Sequence, residues 1–525
     1  MPKTAGCSSA GPSGRTNEPE KRSIRNEADD IVKLNAKQIA AICGGTFVVE
    51  PIDACALASG ITWDSRDVAK GDVYIAIPGA RVDGHDFVQA AISSGAVCAL
   101  VMEPVPEEVR VFAREMGAAI IEVANTQTAV ADLARAWRSH LKGLVIGVTG
   151  SSGKTTTKNL IRDVLATTLD VVATRGNQNN ELGAPRTLLS AEATTDAVVV
   201  ELGIQHTGEM TFLCEFIRPD WGVVVSVGES HIEYMKTREN IARAKGELFA
   251  CLPGGGMAFV NAADEFADVV CDSSRIAERN VRCSAFDGSG NALIADGYAR
   301  SAASPDGSVR AWATDVSIND EGCPAFALHI AKNGMAGEET APVSMVLRGL
   351  HNVGNACAAA AVGAAAGVPI DRIAHALAAS VPESGRQEII RARAGYRIVN
   401  DAYNANPESM RASLLTFASM ACKGKRYAVL GDMGELGEYA VPSHEGIGRL
   451  VAGLPIDLVI CVGELASHIA RAALEAGAEA DSVLSVDAIS DVLGELDIRL
   501  EPDDCVLVKA SHFMGLSRVV EGLRA

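Results

Sequence analysis

The stretch Gly147-Val148-Thr149-Gly150-Ser151-Ser152-Gly153-Lys154-Thr155-Thr156 carries the clearest chemistry in the sequence. An apolar run (residues 144–148) precedes it, and a helical pattern (residues 156–165) follows. Between a strand and a helix, small residues let backbone N–H groups wrap phosphate oxygens, and the helix N-terminus favours negative charge. Gly150, Ser151, Ser152, Gly153 and Thr156 would form that cradle. Lys154 would bridge the β- and γ-phosphates, and the Thr155 hydroxyl would hold Mg²⁺. Val148 stands where the strict phosphate-loop pattern has its first glycine, so the spacing is G-x-x-G-x-x-G-K-T. A glycine-rich turn is the plainer alternative, and the Lys-Thr pair argues against it. The loop by itself indicates nucleotide phosphate and leaves the reaction open.

Polar residues placed at strand ends extend the reading. Glu201 ends an apolar strand, and ligands of open α/β sheets gather at the carboxyl ends of strands. A carboxylate there suits Mg²⁺, which takes hard oxygen ligands. His206 and His231 follow successive strands; as isolated histidines both read as structural. Lys245 sits in a helical pattern and, taken alone, reads as a surface lysine. The amides of Asn177-Gln178-Asn179-Asn180 can bond neutral and anionic oxygens alike, though an Asn-rich turn looks the same in sequence.

The glycine spacing resembles the signature of the Mur ligase family, which also includes folylpolyglutamate synthases. That resemblance implies transfer of the ATP γ-phosphate to a substrate carboxylate, then attack of an amine on the acyl phosphate. Gly203-Ile204-Gln205-His206-Thr207-Gly208-Glu209-Met210 resembles the family's G-A-N-H-x-G-E-[IM], and Ser230-His231-Ile232-Glu233 resembles its A-H-L-E. The match implies a metal or phosphate role for His231 and a substrate role for His206. Ala244-Lys245-Gly246-Glu247 resembles A-K-x-E, whose lysine the family carbamylates to support a second Mg²⁺. Asn179 and Asn180 fall in a loop similar to the one over the acceptor nucleotide-peptide. Gly349-Leu350-His351-Asn352-Val353-Gly354-Asn355-Ala356 resembles G-x-H-N-x-x-N-A, implying adenine contacts from His351, Asn352 and Asn355. Gly385-Arg386 resembles P-G-R, with Ser384 in place of the proline, and implies that Arg386 reaches ATP phosphate across a domain boundary.

Three further segments narrow the resemblance to the member that adds D-alanyl-D-alanine. Asp401-Ala402-Tyr403-Asn404-Ala405-Asn406-Pro407-Glu408-Ser409-Met410 resembles its D-[DS]-Y-N-A-N-P-x-S-M. The match implies that Asp401 binds the ATP ribose and that Tyr403, Asn404 and Asn406 shape the junction with the central domain. Gly431-Asp432-Met433-Gly434-Glu435-Leu436-Gly437, followed by His444, resembles its L-G-[DE]-M-x-E-L-G…H loop. Asp64-Ser65-Arg66 and its neighbours resemble a uridine-nucleotide-binding domain, which makes Ser65 and Arg66 substrate contacts. The implied substrates are ATP with Mg²⁺, UDP-N-acetylmuramoyl-tripeptide and D-alanyl-D-alanine. One departure stands out: Lys509-Ala510-Ser511-His512 replaces the usual K-G-S-R, so a cation for the dipeptide end is altered.

These residues need elements to hold them. Strands expected at 73–77, 144–148, 197–202, 222–227, 257–260, 397–400, 427–430, 458–462 and 505–508 alternate with helices, which implies mainly parallel sheets covered on both faces. The fold class expected is α/β in three domains: a small N-terminal α/β domain at 34–142, a central phosphate-loop domain at 143–383 and a Rossmann-like C-terminal domain at 384–525. Residues 283–346 read as an antiparallel extension of the central domain. Residues 1–33 read as a disordered tail, poor in apolar surface.

A chain of 525 residues exceeds one ordinary core. Its net charge of −19 argues against general affinity for nucleic acid or anionic membranes. The thirteen cysteines are scattered, with no C-x-x-C pair, as expected of buried thiols in a reducing compartment. No signal-peptide pattern opens the chain, and the Ala-rich run 356–366 is too short to span a bilayer. A cytoplasmic monomer without a membrane span is expected.

Overall fold

Buried apolar runs set the skeleton of the N-terminal sheet. The computed structural model describes residues 34–79, 82–291, 307–333 and 337–524, so the tail expected at 1–33 lies outside the described residues. Val73–Ile75, Cys98–Val101 and Ala119–Glu122 form the centre of a five-stranded sheet, with Ile61–Thr62 and Thr46–Val49 at its edges. Only Thr46–Val49 runs antiparallel to its neighbour. Helix Thr126–Arg138 closes one side, its first turn capped by the Asn125 side chain, which accepts from the Thr128 N–H at 2.9 Å.

The central sheet has nine strands, and its parallel part contains the strand before the phosphate loop. Leu144–Thr149 lies between Ala197–Glu201 and Trp221–Val224, so the ends of all three open on the same edge. Helix Lys154–Leu165 follows the loop and packs against helix His351–Ala365. Small residues permit that approach: a Cβ on Gly363 would come within 2.4 Å of a Val164 methyl. The Ala-rich run is therefore a tightly buried helix that braces the phosphate-loop helix. Among the described residues, no helix is long and apolar enough to cross a membrane.

The antiparallel extension is smaller than the sequence suggests. Val309–Ile318, Pro324–Lys332 and Glu338–Ser344 form an antiparallel meander, but Arg282–Asp287 is a parallel strand beside Met257–Asn261. Polar residues on that strand obscured its burial. Ser284 is buried, and its hydroxyl accepts from the Val309 N–H at 2.9 Å, which satisfies both groups inside the sheet.

A six-stranded sheet forms the C-terminal part, in the order Glu388–Arg391, Arg397–Asn400, Cys505–Lys509, Arg426–Gly431, Leu458–Val462, Val483–Val486. All pairs are parallel except the first. The α/β class with three sheets is as expected. The described cysteines are free thiols.

Candidate functional site

A cavity of about 1030 Å³ lies where the central and C-terminal sheets present their strand ends to one another. On the central side, Ser151, Ser152, Gly153, Lys154, Thr155 and Thr156 line it. Gly153 has φ +81°, and a Cβ there would meet the Asn355 Oδ1 at 2.5 Å, so the loop requires glycine on both counts. The Ser151 N–H donates to the Ser226 carbonyl at 2.9 Å, and the Ser152 N–H to the Ser226 hydroxyl at 3.0 Å. The Lys154 ammonium folds back onto the Gly150 carbonyl at 2.7 Å. Burial lowers its pKa, and the nearby Glu201 carboxylate partly opposes that.

Glu201 is 1% exposed at the end of its strand. One carboxylate oxygen accepts from the Asn179 amide at 2.8 Å; the other is buried and has no hydrogen-bond partner. A bare carboxylate oxygen facing a phosphate loop fits a hard divalent cation, which would replace the lost hydration. His231 also lines the cavity, in left-handed backbone conformation with φ 63°. Lys245 is 2% exposed. Burial, with the neighbouring Lys154 charge, holds its pKa well below the ordinary lysine value. The lysine that reads as a surface residue in sequence is thus a buried amine whose charged form is disfavoured by burial.

The C-terminal sheet supplies the opposite wall. Arg386 donates to the Thr155 hydroxyl at 2.8 Å, and its guanidinium lies 4.3 Å over the Tyr403 ring. Asn406 donates to the hydroxyls of Ser152, at 3.0 Å, and Ser230, while its carboxamide oxygen caps helix Pro407–Ser419. Pro407 falls in the first turn of that helix, where its missing N–H costs nothing. Asp401 is paired with Lys509 at 2.7 Å, and Lys509 also donates to the Asn404 carbonyl at 3.1 Å. Ser511 ties two loops together: its hydroxyl donates to the Ala405 carbonyl and accepts from the Gly434 N–H.

His351, Asn352 and Asn355 also line the cavity, but the two carboxamides are engaged internally. Asn355 accepts from Thr157 at 3.1 Å and donates to Asn352 at 2.7 Å; Asn352 donates to the Arg348 carbonyl at 2.6 Å. They brace the phosphate-loop helix, leaving the open His351 ring facing the cavity. Asn179 and Asn180 are in the cavity wall. His206 is outside it, held by Glu209 at 2.9 Å and packed on Tyr234. Ser65 and Arg66 are outside it as well, in the turn after strand Ile61–Thr62 of the N-terminal sheet, where the Arg66 side chain is 86% exposed and paired with Asp64.

Sequence reasoning gave no role to Lys509, Glu408 or Glu435. Each was visible inside a quoted motif, yet each acts through a partner from a distant segment. Glu408 accepts from the Glu229 N–H at 2.7 Å, and Glu435 contacts His231. A separate cluster of Asp83, His85 and Glu103 offers nothing comparable, because both ring nitrogens of His85 are already engaged, by Asp83 and by the Met102 N–H.

Comparison with known proteins agrees with this geometry. The model of the Mur ligase middle domain matches residues 148–363 and that of the Mur ligase, glutamate ligase domain matches 385–512. The model of the Mur ligase family, catalytic domain matches 58–138. A relative from Mycobacterium tuberculosis named UDP-N-acetylmuramoyl-tripeptide–D-alanyl-D-alanine ligase is 36% identical over 94% of this chain and 98% of its own length. A crystal structure of MurF from Acinetobacter baumannii superposes with a TM-score of 0.75 at 27% identity, covering 94% of this chain and 99% of that one. MurF ligase from Thermotoga maritima in complex with ADP gives 0.68 at 28% identity, covering 89% of this chain and 97% of that one. The chain belongs to the Mur ligase family.

Proposed function

We propose that this protein is an ATP-dependent ligase that joins D-alanyl-D-alanine to UDP-N-acetylmuramoyl-tripeptide, giving ADP, phosphate and the UDP-N-acetylmuramoyl-pentapeptide used in peptidoglycan synthesis. The observation that carries the proposal is the convergence of Arg386 and the Asp401–Asn406 segment on the phosphate loop. A nucleotide-binding module without ligation would not need a second domain's arginine on Thr155. Relatives of that name aligned over nearly the whole chain support the choice of substrates.

In this reading the triphosphate lies in the cradle 150–156, with Lys154 between its β- and γ-phosphates and Asp401 toward the ribose. His351, with Asn352 and Asn355 behind it, borders the adenine. Thr155, Glu201 and His231 would hold Mg²⁺, and a carbamate on Lys245 would add an oxygen ligand; the metal supplies charge neutralisation at the phosphoryl oxygens. Carbamate formation needs a neutral amine, which the burial of Lys245 favours. The tripeptide carboxylate attacks the γ-phosphorus and the bond to ADP breaks, while Lys154 and Arg386 offset the growing charge. The dipeptide amine then attacks the acyl carbon, loses a proton and expels phosphate. Asn179, Asn180 and His206 face the acceptor, Tyr403, Asn404 and Asn406 shape the junction, and Ser65 and Arg66 border the uridine end. Docking of the C-terminal sheet over the cradle shields the acyl phosphate from water. We further propose that it works in the cytoplasm as a monomer.

Mass spectrometry of products from ATP, UDP-N-acetylmuramoyl-tripeptide and D-alanyl-D-alanine tests the proposal. The pentapeptide nucleotide is the expected product. Phosphate release driven by glutamate or diaminopimelate instead would identify a different amide ligase, and ATP binding without product from any amine would support a regulatory protein.

A further inference from the structure

Beyond the residues that touch the cavity, one contact joins the C-terminal sheet to the metal side of the site. Glu435 follows strand Arg426–Gly431 and approaches His231 from the opposite domain, its Oε2 2.5 Å from Nδ1. Its other carboxylate oxygen accepts from the Gln205 amide at 3.0 Å, and its backbone carbonyl accepts from the Glu233 N–H at 3.2 Å. The carboxylate thus spans the ends of two central strands, the one that presents Glu201 and the one that leads to His231. Both Glu435 and His231 adopt left-handed backbone, φ 60° and 63°, a conformation uncommon for residues with a Cβ. A site that retains two such residues in contact is over-determined by its surroundings.

We propose that Glu435 is a positioning residue for His231. Its carboxylate stands 2.5 Å from Nδ1, a buried atom with no other polar partner, and by that approach it restrains the ring and turns Nε2, as the ligating atom, toward the cavity that His231 lines. Because Glu435 belongs to the C-terminal domain, the imidazole is held ready only while that domain is docked. Docking and completion of the cation site are then one event. The inference rests on the proposed reading of His231 as a divalent-cation ligand.

The test measures Mn²⁺ affinity by electron paramagnetic resonance of the full-length protein holding a non-hydrolysable ATP analogue. The variants are His231→Asn, Glu435→Ala, Glu435→Gln and the double His231→Asn/Glu435→Ala. Loss of an orienting partner weakens metal affinity about 10–100-fold, so Glu435→Ala should fall in that range. Glu435→Gln, which can still accept from Nδ1–H, should recover part of it. The double variant should be no weaker than His231→Asn alone, since Glu435 would act only through the imidazole. Wild-type affinity in Glu435→Ala with a weakened His231→Asn overturns the inference alone, as does strict additivity in the double variant. Unchanged affinity in His231→Asn overturns the ligand reading, and the inference falls with it. Thermal melts of each variant separate these outcomes from misfolding.

Discussion

Arg386 and Thr155 are separated by 231 residues in sequence and joined by a 2.8 Å hydrogen bond from guanidinium to hydroxyl. The hydroxyl belongs to the first turn of the phosphate-loop helix, and the guanidinium is held from its other side by the Tyr403 ring at 4.3 Å. In the proposed reaction this places Arg386 beside the phosphoryl group as it gains charge. Its replacement by Ala should lower kcat by about 10²–10³, in the range found when a charge-stabilising donor is removed. Arg386→Lys should recover little, because an ammonium neither forks nor stacks as a guanidinium does. Single-turnover phosphate release checks this, and a wild-type rate for the Ala variant would remove Arg386 from the chemistry.

Lys245 gives a prediction about stability. Its folded pKa lies well below the unfolded value of about 10.4, because burial disfavours the charged amine. Between those two values the unfolded chain binds the extra proton, so stability rises with pH across that window, approaching about 1.4 kcal/mol per pH unit for this one group. Below the folded pKa the penalty is constant, and above the unfolded pKa it vanishes. Lys245→Met should therefore raise the melting temperature in CO₂-free buffer at neutral pH, with a gain that shrinks as pH climbs toward 10. The same variant should abolish ligation. A melting-temperature difference independent of pH would mean that the amine is charged in the folded protein.

The parts of the site legible in sequence are those that one βα unit fixes locally. A strand followed by a glycine-rich turn and a helix specifies where Lys154 and Thr155 must be, and a strand end specifies Glu201. Lys245 was not legible without a resemblance, since its helix has polar residues on several faces and its burial depends on the packing of the central domain. Glu435 and Lys509 were invisible for a different reason: their partners, His231 and Asp401, come from other segments. The strand Arg282–Asp287 shows the same limit in the fold, because Ser284 reads as surface until Val309 supplies its donor. The Asn352 and Asn355 amides, which look free in a loop motif, are engaged by one another and by Thr157.

Asn406 performs two tasks that substitution can separate. Its oxygen accepts from the Ser409 N–H at 2.8 Å, capping the helix, while its amide donates to Ser152 and Ser230 across the cleft. Asn406→Ala should lose the cap, worth about 1 kcal/mol, and the cross-domain bonds as well. Asn406→Asp should keep the cap and the melting temperature, but lose both donors and put a negative charge beside the phosphate loop. Weaker ATP binding is expected in both variants, with a lowered melting temperature only in Asn406→Ala. Wild-type ATP affinity in Asn406→Asp would show that the clamp on Ser152 is incidental.

His512 marks the altered cation at the proposed dipeptide end. Its N–H donates to the Asn404 side chain at 3.4 Å, and its ring tilts against Tyr403 with centroids 5.7 Å apart. The side chain is exposed at the edge of the C-terminal wall, next to Phe513. An imidazole is cationic only when protonated, whereas a guanidinium is always charged and can fork onto a carboxylate. If the dipeptide carboxylate docks there, His512→Arg should lower KM for D-alanyl-D-alanine while leaving kcat and KM for ATP unchanged, the pattern of added uniform binding. His512→Gln should move KM for the dipeptide the opposite way. Steady-state kinetics with the dipeptide as varied substrate distinguishes these, and an identical KM in all three proteins would place the carboxylate at another cation.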